Sequence, residues 1–355
     1  MDIQSGKTVA GFGGAAAIIL LFTWFVGWDK ILSTVSKASP PLVLLGLATG
    51  FGSIICLGTA WWLVIREATG YTYTGGLRVF FATMFANSVT PLGQFGGEPF
   101  IAYIVSRDAD IPIEEGFGAV LAADMINSVQ FFTLTFLGIL VFLVYFPMGP
   151  VVSFVLKLVI VLVGLLALGF VFIWNYRDKT LGLLRWVGQK VEAFMVLLGL
   201  EKKVDEEELV SKGSNFYAVL ERLLGRRKEV AKALAFSHLS GLMAVGGLYL
   251  LILSLGFDAP KSALLFVLPA SMLAGYLPLP GGLGGIEVAL MALLTGIAGV
   301  PAAVASAAAL LHRSATYWMT LLVGGFYSSR LSVDILSRRS PPSVDLQEAV
   351  DNGLD

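Results

Sequence analysis

Long apolar runs, separated by short polar loops, form the main pattern of the chain. A membrane-spanning helix needs about 20 mostly apolar residues, and six stretches reach that length. The predicted spans are residues 9–28, 41–65, 117–146, 150–174, 231–255 and 303–328. The first run has no small-residue cleavage site before Asp29, so we interpret it as a retained helix. The pattern predicts an all-α, polytopic membrane protein.

Two further apolar stretches are interrupted by glycine and proline. Residues 77–106 and 262–299 each contain two apolar arms of about a dozen residues, which are individually too short to cross a bilayer. The interruptions, at residues 91–98 and 280–287, share the pattern PxGxxGxE. We therefore predict that each stretch forms a re-entrant helical hairpin.

The two interruptions belong to an internal repeat. They lie 189 positions apart, and the same ungapped shift places Gly58 on Gly247 and Asp124 on Arg313. Each half reads as helix, hairpin, helix, with the first repeat at 41–146 and the second at 231–330. The remaining segments are an N-terminal helix and loop at 1–40, a connecting span at 147–174, a polar linker at 175–230 and a tail at 331–355.

Lysine and arginine placement predicts the orientation, because cytoplasmic flanks retain positive charge. With both termini inside, most basic residues lie on the cytoplasmic side and only Lys30, Lys37 and Lys261 lie outside. The single connecting span makes the two repeats run in opposite directions. Inverted repeats with broken helices are typical of secondary transporters. The linker is predicted to form amphipathic helices at the cytoplasmic interface, and the tail to be disordered.

Composition narrows the classes of function. With 56% hydrophobic and 14% charged residues, the chain is far more apolar than a soluble domain. A net charge of −1 gives no sign of a nucleic-acid partner. The only cysteine, Cys56, excludes a thiolate metal cluster within one chain. HExxH, GxSxG and Walker patterns are missing from the sequence, so we expect no enzyme activity, no cofactor, no metal and no ATP-driven pumping.

The interrupted tips are the first candidate site. Non-helical backbone inside a bilayer is tolerated where it is buried in protein or lines a watered cavity, so the tips are expected to line a site. The predicted hairpin breaks are Pro91, Gly93, Pro280 and Gly282. Glu98 and Glu287 begin the second arms, where a carboxylate is favoured by the helix dipole. Capping of the helix and contact with substrate or a proton are both open interpretations.

Asp124 and Arg313 lie deep within apolar helices, where ionisable side chains are rare and usually functional. In one interpretation Arg313 forms a buried ion pair with Asp124 or Glu98 and clamps the halves together. In the other, Arg313 binds a phosphate while the carboxylates bind a proton or cation. His312 is interpreted as a satisfied buried histidine. The full set of predicted substrate-binding residues is Asn87, Gln94, Gly96, Gly97, Glu98, Asp124, Asn127, Gln130, Gly284, Gly285, Glu287, Arg313 and Tyr317.

Three stretches carry a family resemblance: residues 87–91 leading to Glu98, residues 280–287, and residues 310–313. On these motifs the sequence resembles the flippase-like transmembrane domain of the lysylphosphatidylglycerol synthase family, as a stand-alone member without the aminoacyltransferase domain. The resemblance implies movement of lipids between leaflets. Ile101 stands where family members often have an arginine, which implies that Arg313 carries more of the contact with an anionic headgroup.

The predicted function is therefore a multi-pass lipid flippase of the plasma membrane. It would move an anionic phospholipid or a polyprenyl-phosphate-type lipid by alternating access, with a proton or monovalent cation as a candidate partner. Two alternatives stay open: an ion-coupled small-solute transporter, and a non-catalytic membrane partner of an envelope glycosyltransferase. The sequence leaves the headgroup, the direction of transport and the oligomeric state open.

Overall fold

A computed structural model of the protein describes residues 27–89, 98–145, 150–177, 225–277 and 279–337, with a few positions between 179 and 222. Within these ranges the regular structure is helical, and no strand occurs. The α-helices are α1 (Trp28–Ser36), α2 (Pro40–Thr69), α3 (Tyr73–Val89), α4 (Glu98–Ala109), α5 (Ile113–Tyr145), α6 (Pro150–Asn175), α7 (Arg227–Ser254), α8 (Lys261–Met272), α9 (Gly285–Gly296), α10 (Ala302–Arg313) and α11 (Met319–Ser337).

Three of the described helices are long and apolar enough to cross a membrane. They are α2, α5 over Glu115–Val141, and α7, which confirms the predicted spans at 41–65, 117–146 and 231–255 as apolar helices of spanning length. The described part of the chain is therefore consistent with an all-α membrane protein.

The other three predicted spans have different outcomes. Residues 150–174 are helical as α6, whose outer face carries highly exposed apolar side chains such as Phe154 and Leu168. Residues 303–328 are covered by α10 and α11, with a π-helical turn at Ser314–Trp318 between them. The predicted span at 9–28 lies outside the described residues, except for its last two positions.

The centre of the fold is the close packing of α2 on α7. Pro40 and Pro41 begin α2, where their missing N–H groups cost no hydrogen bond, and Gly70 at φ 67° ends it. Glycines on both helices let the two backbones approach: a Cβ on Gly247 would lie 3.1 Å from Gly46 O and from Gly50 N, and one on Gly46 would lie 3.2 Å from Gly247 O. Small residues four apart are a common device for such approach in membrane helices.

Contacts at both ends show that α2 and α7 run antiparallel. Ser39 at the start of α2 donates its backbone N–H to the carbonyl oxygen of Ser254 at the end of α7, at 2.8 Å. At the other end, Arg66 forms an ion pair with Glu229. These two helices occupy corresponding places in the predicted repeat, and an inverted repeat requires them to be antiparallel.

The order of the elements repeats along the chain. Shifted by 189 positions, α2 falls on α7, α3 on α8, α4 on α9, and α5 on the stretch from α10 to α11. Contacts follow the same correspondence, since α3 packs on α11 while α8 packs on α5. Both contacts use a glycine: a Cβ on Gly324 would overlap Phe81 O, and one on Gly138 would lie 2.6 Å from Leu265 O. The inverted orientation of the complete halves stays a prediction, which this packing supports.

Both interrupted stretches contain two helical arms. In the first, Arg78 near the start of α3 contacts Asp108 near the end of α4 at 3.3 Å, so the open ends of the arms meet. In the second, α8 packs against α9. Re-entry into the membrane stays a prediction for both. The first arm of the second stretch, α8, ends at Met272, and the predicted break at Pro280 opens a 3₁₀ turn further along.

Ion pairs gather where α2 ends and α5 and α7 begin. Arg226 contacts Glu67 at 2.6 Å, and Arg222 contacts Glu115 at 3.2 Å. The shared location agrees with the predicted grouping of basic residues on one side, although which side it faces stays a prediction. Most of the 175–230 linker lies outside the described residues, but its last residues belong to α7. Residues 331–337 of the predicted disordered tail are helical as the end of α11.

Candidate functional site

The second tip is a sequence of tight turns that only glycine adopts easily. A 3₁₀ turn at Leu273–Tyr276 follows α8, and another at Pro280–Gly282 precedes α9. Gly281, Gly282 and Gly284 have φ values of 56°, 66° and 79°, in the left-handed region that disfavours residues with a Cβ. The tip therefore depends on glycine at these three positions.

The side chain of Glu287 is buried in this tip and accepts two hydrogen bonds there. Its side chain is only 1% exposed, and its Oε2 accepts a hydrogen bond at 2.8 Å from the backbone N–H of Gly284, the residue that caps α9. Its Oε1 accepts a second hydrogen bond at 2.8 Å from Nε of Arg313. One carboxylate thus caps a helix and neutralises a buried cation, so the capping interpretation and a functional one are compatible.

Arg313, the last residue of α10, makes two contacts with the tip and one with Tyr317. Besides the contact with Glu287, its Nη2 donates to the carbonyl oxygen of Gly281 at 3.1 Å. Its guanidinium lies over the ring of Tyr317, with Cζ 4.5 Å from the ring centroid. The side chain is 11% exposed. No described residue accepts a hydrogen bond from its Nη1, so the guanidinium keeps a donor for a further acceptor.

Tyr317 brings the first half of the chain to the second tip. It is 4% exposed, and its hydroxyl donates to the carbonyl oxygen of Ser88 at 3.4 Å, a long hydrogen bond. A Cβ on Gly281 would overlap the Tyr317 ring, so the tip backbone lies directly against it. The last turn of α3 therefore meets the second tip at Tyr317.

The π-helical turn at Ser314–Trp318 directly follows Arg313. Such a turn holds one extra residue within a helix, and π-turns occur often at functional sites. Here it lies between the arginine and the tyrosine that stack on each other. The position of the stack thus depends on a local irregularity that helical periodicity does not predict.

The structure corrects one of the two ion pairs considered for Arg313, the pair with Asp124. Its carboxylate partner among the described side chains is Glu287, from its own half, rather than Asp124. Glu98, the other predicted partner, begins α4, but its side chain is not described. Asp124 is half-buried within α5. The interpretation that paired Arg313 with Asp124 was wrong because it matched charges at equivalent positions of the two repeats. In the structure, Glu287 of α9 contacts Arg313 at the end of α10.

The remaining predicted site residues divide into two groups. The first tip, with Pro91, Gly93, Gln94, Gly96 and Gly97, lies outside the described residues. Three amides, those of Asn87, Asn127 and Gln130, have buried oxygens without a hydrogen-bond partner among the described residues.

Gly285 and His312 are also resolved. Gly285 lies inside α9, where a Cβ would lie 2.9 Å from Ala274 O, so it too permits a close backbone approach. The expectation of a satisfied histidine was wrong, because His312 is 2% exposed and its Nδ1 has no partner among the described residues. No group of three metal-ligating side chains occurs in the described part of the chain.

Sequence reasoning did not identify three contributors to the site. Gly281 supplies the carbonyl acceptor for Arg313, Ser88 supplies the acceptor for Tyr317, and the π turn sets their spacing. The Pro-Gly-Gly run indicated an unusual turn at Gly281. Nothing in the sequence indicated the contact of Ser88, because it joins residues 229 positions apart.

Chemically, the arrangement is a buried ion pair whose cation still has donor capacity. Glu287 balances the charge of Arg313, and the Tyr317 ring covers one face of the guanidinium. A planar guanidinium in this position suits a phosphate or carboxylate oxygen.

Comparison with known proteins gives the family. The chain matches the lysylphosphatidylglycerol synthase TM region over residues 9–324. A UPF0104 membrane protein of Methanothermobacter thermautotrophicus is 25% identical over 328 residues, which cover 89% of this chain and 92% of that protein. Similar proteins of Methanocaldococcus jannaschii (25% identical; 86% of this chain and 89% of that protein) and Pyrococcus horikoshii (23% identical; 87% and 92%) also carry the description UPF0104 membrane protein. The resemblance seen in the motifs is thus confirmed, and the chain belongs to the lysylphosphatidylglycerol synthase TM region family.

Proposed function

We propose that this protein moves an anionic lipid, a phospholipid or a polyprenyl-phosphate-type lipid, between the leaflets of the plasma membrane by alternating access. The observation that carries the proposal is Arg313, a buried arginine at an irregular helix junction with a donor left for a ligand. Ionisable groups at such depth in an apolar helix mark substrate or ion pathways in membrane proteins.

In the proposed resting arrangement, Glu287 and the Gly281 carbonyl hold Arg313 against the tip. A headgroup phosphate would first bind the Nη1 side of the guanidinium. The phosphate would then compete with Glu287 for the other N–H groups of the guanidinium, since phosphate and carboxylate accept from the same donors. Binding of the headgroup is thereby coupled to loosening of the tip.

The neighbourhood of the arginine supports a polar headgroup site next to apolar surface. Asn87 lies beside Ser88 in the last turn of α3, and its buried amide can present either an oxygen or an N–H₂ group. Tyr317 adds an aromatic surface. The proposed site would thus hold the phosphate between Arg313 and the amide, while acyl or prenyl chains stay among the apolar helices.

Inverted repeats explain how one site could face both sides in turn. We infer that the first tip, with Glu98, approaches the same region from the opposite side of the membrane, in the manner of secondary transporters with broken helices. Energy would come from the lipid gradient or from a coupled proton or cation. No catalytic step is part of the proposal.

The test is lipid translocation in proteoliposomes. Fluorescent lipids with phosphatidylglycerol, polyprenyl-phosphate or phosphatidylcholine headgroups are followed by quenching from the outside, for wild type, Arg313→Gln and Arg330→Gln. Arg330 is a matched control, because it is an exposed arginine stacked on Phe326 at 4.6 Å. Loss of a charge-assisted contact should lower translocation of anionic lipid about tenfold in Arg313→Gln and leave Arg330→Gln unchanged.

Two outcomes would refute the proposal. One is folded, monodisperse wild type that moves no anionic lipid faster than protein-free liposomes. The other is translocation of phosphatidylcholine at the same rate as anionic lipids with no effect of Arg313→Gln, which would show a scrambling surface unrelated to this site.

A further inference from the structure

The interface between α5 and α7 contains buried polar oxygens that no described residue satisfies. They are Oδ1 of Asn127, Oε1 of Gln130 and Oγ of Ser237. Ser237 is 0% exposed. Unsatisfied buried polar atoms are few in native proteins, because each costs about 1–3 kcal/mol. Three of them on two neighbouring helices therefore call for a ligand.

Contacts along the interface place these oxygens on facing sides of the two helices. On α7, Leu234 shares a mostly apolar cavity with Ile126 of α5, and a Cβ on Gly241 would overlap Oε1 of Gln130. Ser237 is three residues after Leu234 and four before Gly241, so it lies on the same face between two positions that contact α5.

The same reasoning applies on α5. Gln130 and Leu134 both lie against Gly241, and Asn127 precedes them by three and seven residues, which is one helical face. The two helices run parallel, because Arg222, just before α7, pairs with Glu115 at the start of α5, and further along Gln130 lies against Gly241. Asn127 and Ser237 both lie between the residues that border the apolar cavity and the contact of Gln130 with Gly241.

We propose that Asn127, Gln130 and Ser237 form a site for a monovalent cation, with Na⁺ as the fitting ion. Amide and hydroxyl oxygens are the hard ligands such an ion takes. Asp124 stands three residues before Asn127 on the same face of α5. Because the three proposed ligands are uncharged, they suit one positive charge better than two. Gly241 brings the helices together, which favours a small ion.

None of the three proposed ligands contacts Arg313 among the described contacts, so the existence of the ion site does not depend on the proposed lipid transport. A role of the ion in driving transport, in contrast, rests on the proposed function. Ser237 also adds a residue that the sequence pattern alone did not indicate, because a serine in an apolar helix commonly bonds to its own backbone. Ser254 of the same helix does so, donating from Oγ to Leu251 O at 2.6 Å.

The test measures ion binding in detergent, with no transport readout. Thermal unfolding of wild type is followed against increasing NaCl, with N-methylglucamine chloride keeping ionic strength constant. Na⁺ should raise the unfolding temperature in a saturable manner, because a ligand that binds only the folded state stabilises it. Ser237→Ala and Asn127→Ala should each weaken the apparent Na⁺ affinity about tenfold, the loss of one good ligand contact. Ser254→Ala, a buried serine with its own partner, should leave that affinity unchanged.

Equal unfolding temperatures in the two salts would overturn the proposal and leave water as the ligand of these oxygens. Unchanged Na⁺ stabilisation in Asn127→Ala and Ser237→Ala would also overturn it, because the ion would then bind elsewhere. Na⁺ binding without lipid translocation would support this site and refute the proposed function. Lipid translocation without Na⁺ binding would support the proposed function and refute this site.

Discussion

Breaking the Arg313–Glu287 pair should destabilise the fold more than any surface charge change. The pair joins side chains that are 11% and 1% exposed, at 2.8 Å. Removing one partner of a buried ion pair costs about 3–5 kcal/mol, since the other charge stays buried without compensation. Both partners keep a second hydrogen bond here, to Gly281 O and from the Gly284 N–H. We therefore expect about 3 kcal/mol for each of Arg313→Gln and Glu287→Gln.

The double variant is the sharper test. Two glutamines can hydrogen-bond to each other, and neither leaves a buried charge, so Arg313→Gln with Glu287→Gln should cost about 4 kcal/mol rather than the sum of about 6. Free energies of unfolding are measured from denaturation in mixed micelles of a mild detergent and dodecyl sulfate. Arg330→Gln serves as the control and should change stability by less than about 0.5 kcal/mol.

Additivity would refute the reasoning. If the double variant equals the sum of the single variants within about 0.5 kcal/mol, the two side chains do not act as a pair. If each single variant lost less than about 1 kcal/mol in free energy of unfolding, water or lipid headgroups would already solvate Arg313. The conclusion that this tip is buried would then be wrong.

Three further predictions concern packing and topology. Gly247→Ala should destabilise by about 1–3 kcal/mol, since its Cβ would press on the α2 backbone; the control Gly246→Ala, with nothing within 4 Å, should be neutral or slightly stabilising in the same denaturation. Tyr317→Leu should cost about 1–2 kcal/mol more than Tyr317→Phe, because only the former removes the ring beneath the guanidinium; equal costs would mean that the hydroxyl bond dominates. After replacement of the single cysteine, cysteines at Arg107 and at Lys261 should react with an impermeant maleimide from opposite sides of the membrane, and labelling from one side would disprove the predicted topology.

Arms of one predicted repeat pack on the last helix of the other, through α3 with α11 and α8 with α5. In the proposed alternating access, movement of one pair of arms would therefore carry along a helix of the other repeat. Glycines at both contacts, Gly324 and Gly138, keep these surfaces smooth and close. Such exchanged packing supports concerted motion of the halves in the proposed alternating access.

Several features of this protein could be predicted from the sequence alone. Membrane helices satisfy their backbone hydrogen bonds internally. The lengths of the apolar runs therefore predicted the ends of α2, α5 and α7 to within a few residues. Glycine and proline predicted the second interruption, because positive φ at Gly281, Gly282 and Gly284 is a local property of the chain. Depth in an apolar run selected Arg313, and position at the start of the second arm selected Glu287; both side chains are buried in the structure.

Only the tertiary structure decided which of these groups meet. Arg313 pairs with Glu287 rather than Asp124, because the fold of the second hairpin, rather than symmetry of charge, sets the distance between them. Tyr317 reaches Ser88 through a contact across 229 positions, and a π turn sets its orientation. The contact of Gln130 with Gly241, from which the facing of Asn127 and Ser237 is inferred, follows from the packing of α5 on α7. Local sequence fixes which residues are buried, whereas pairing across helices depends on packing that no single helix encodes.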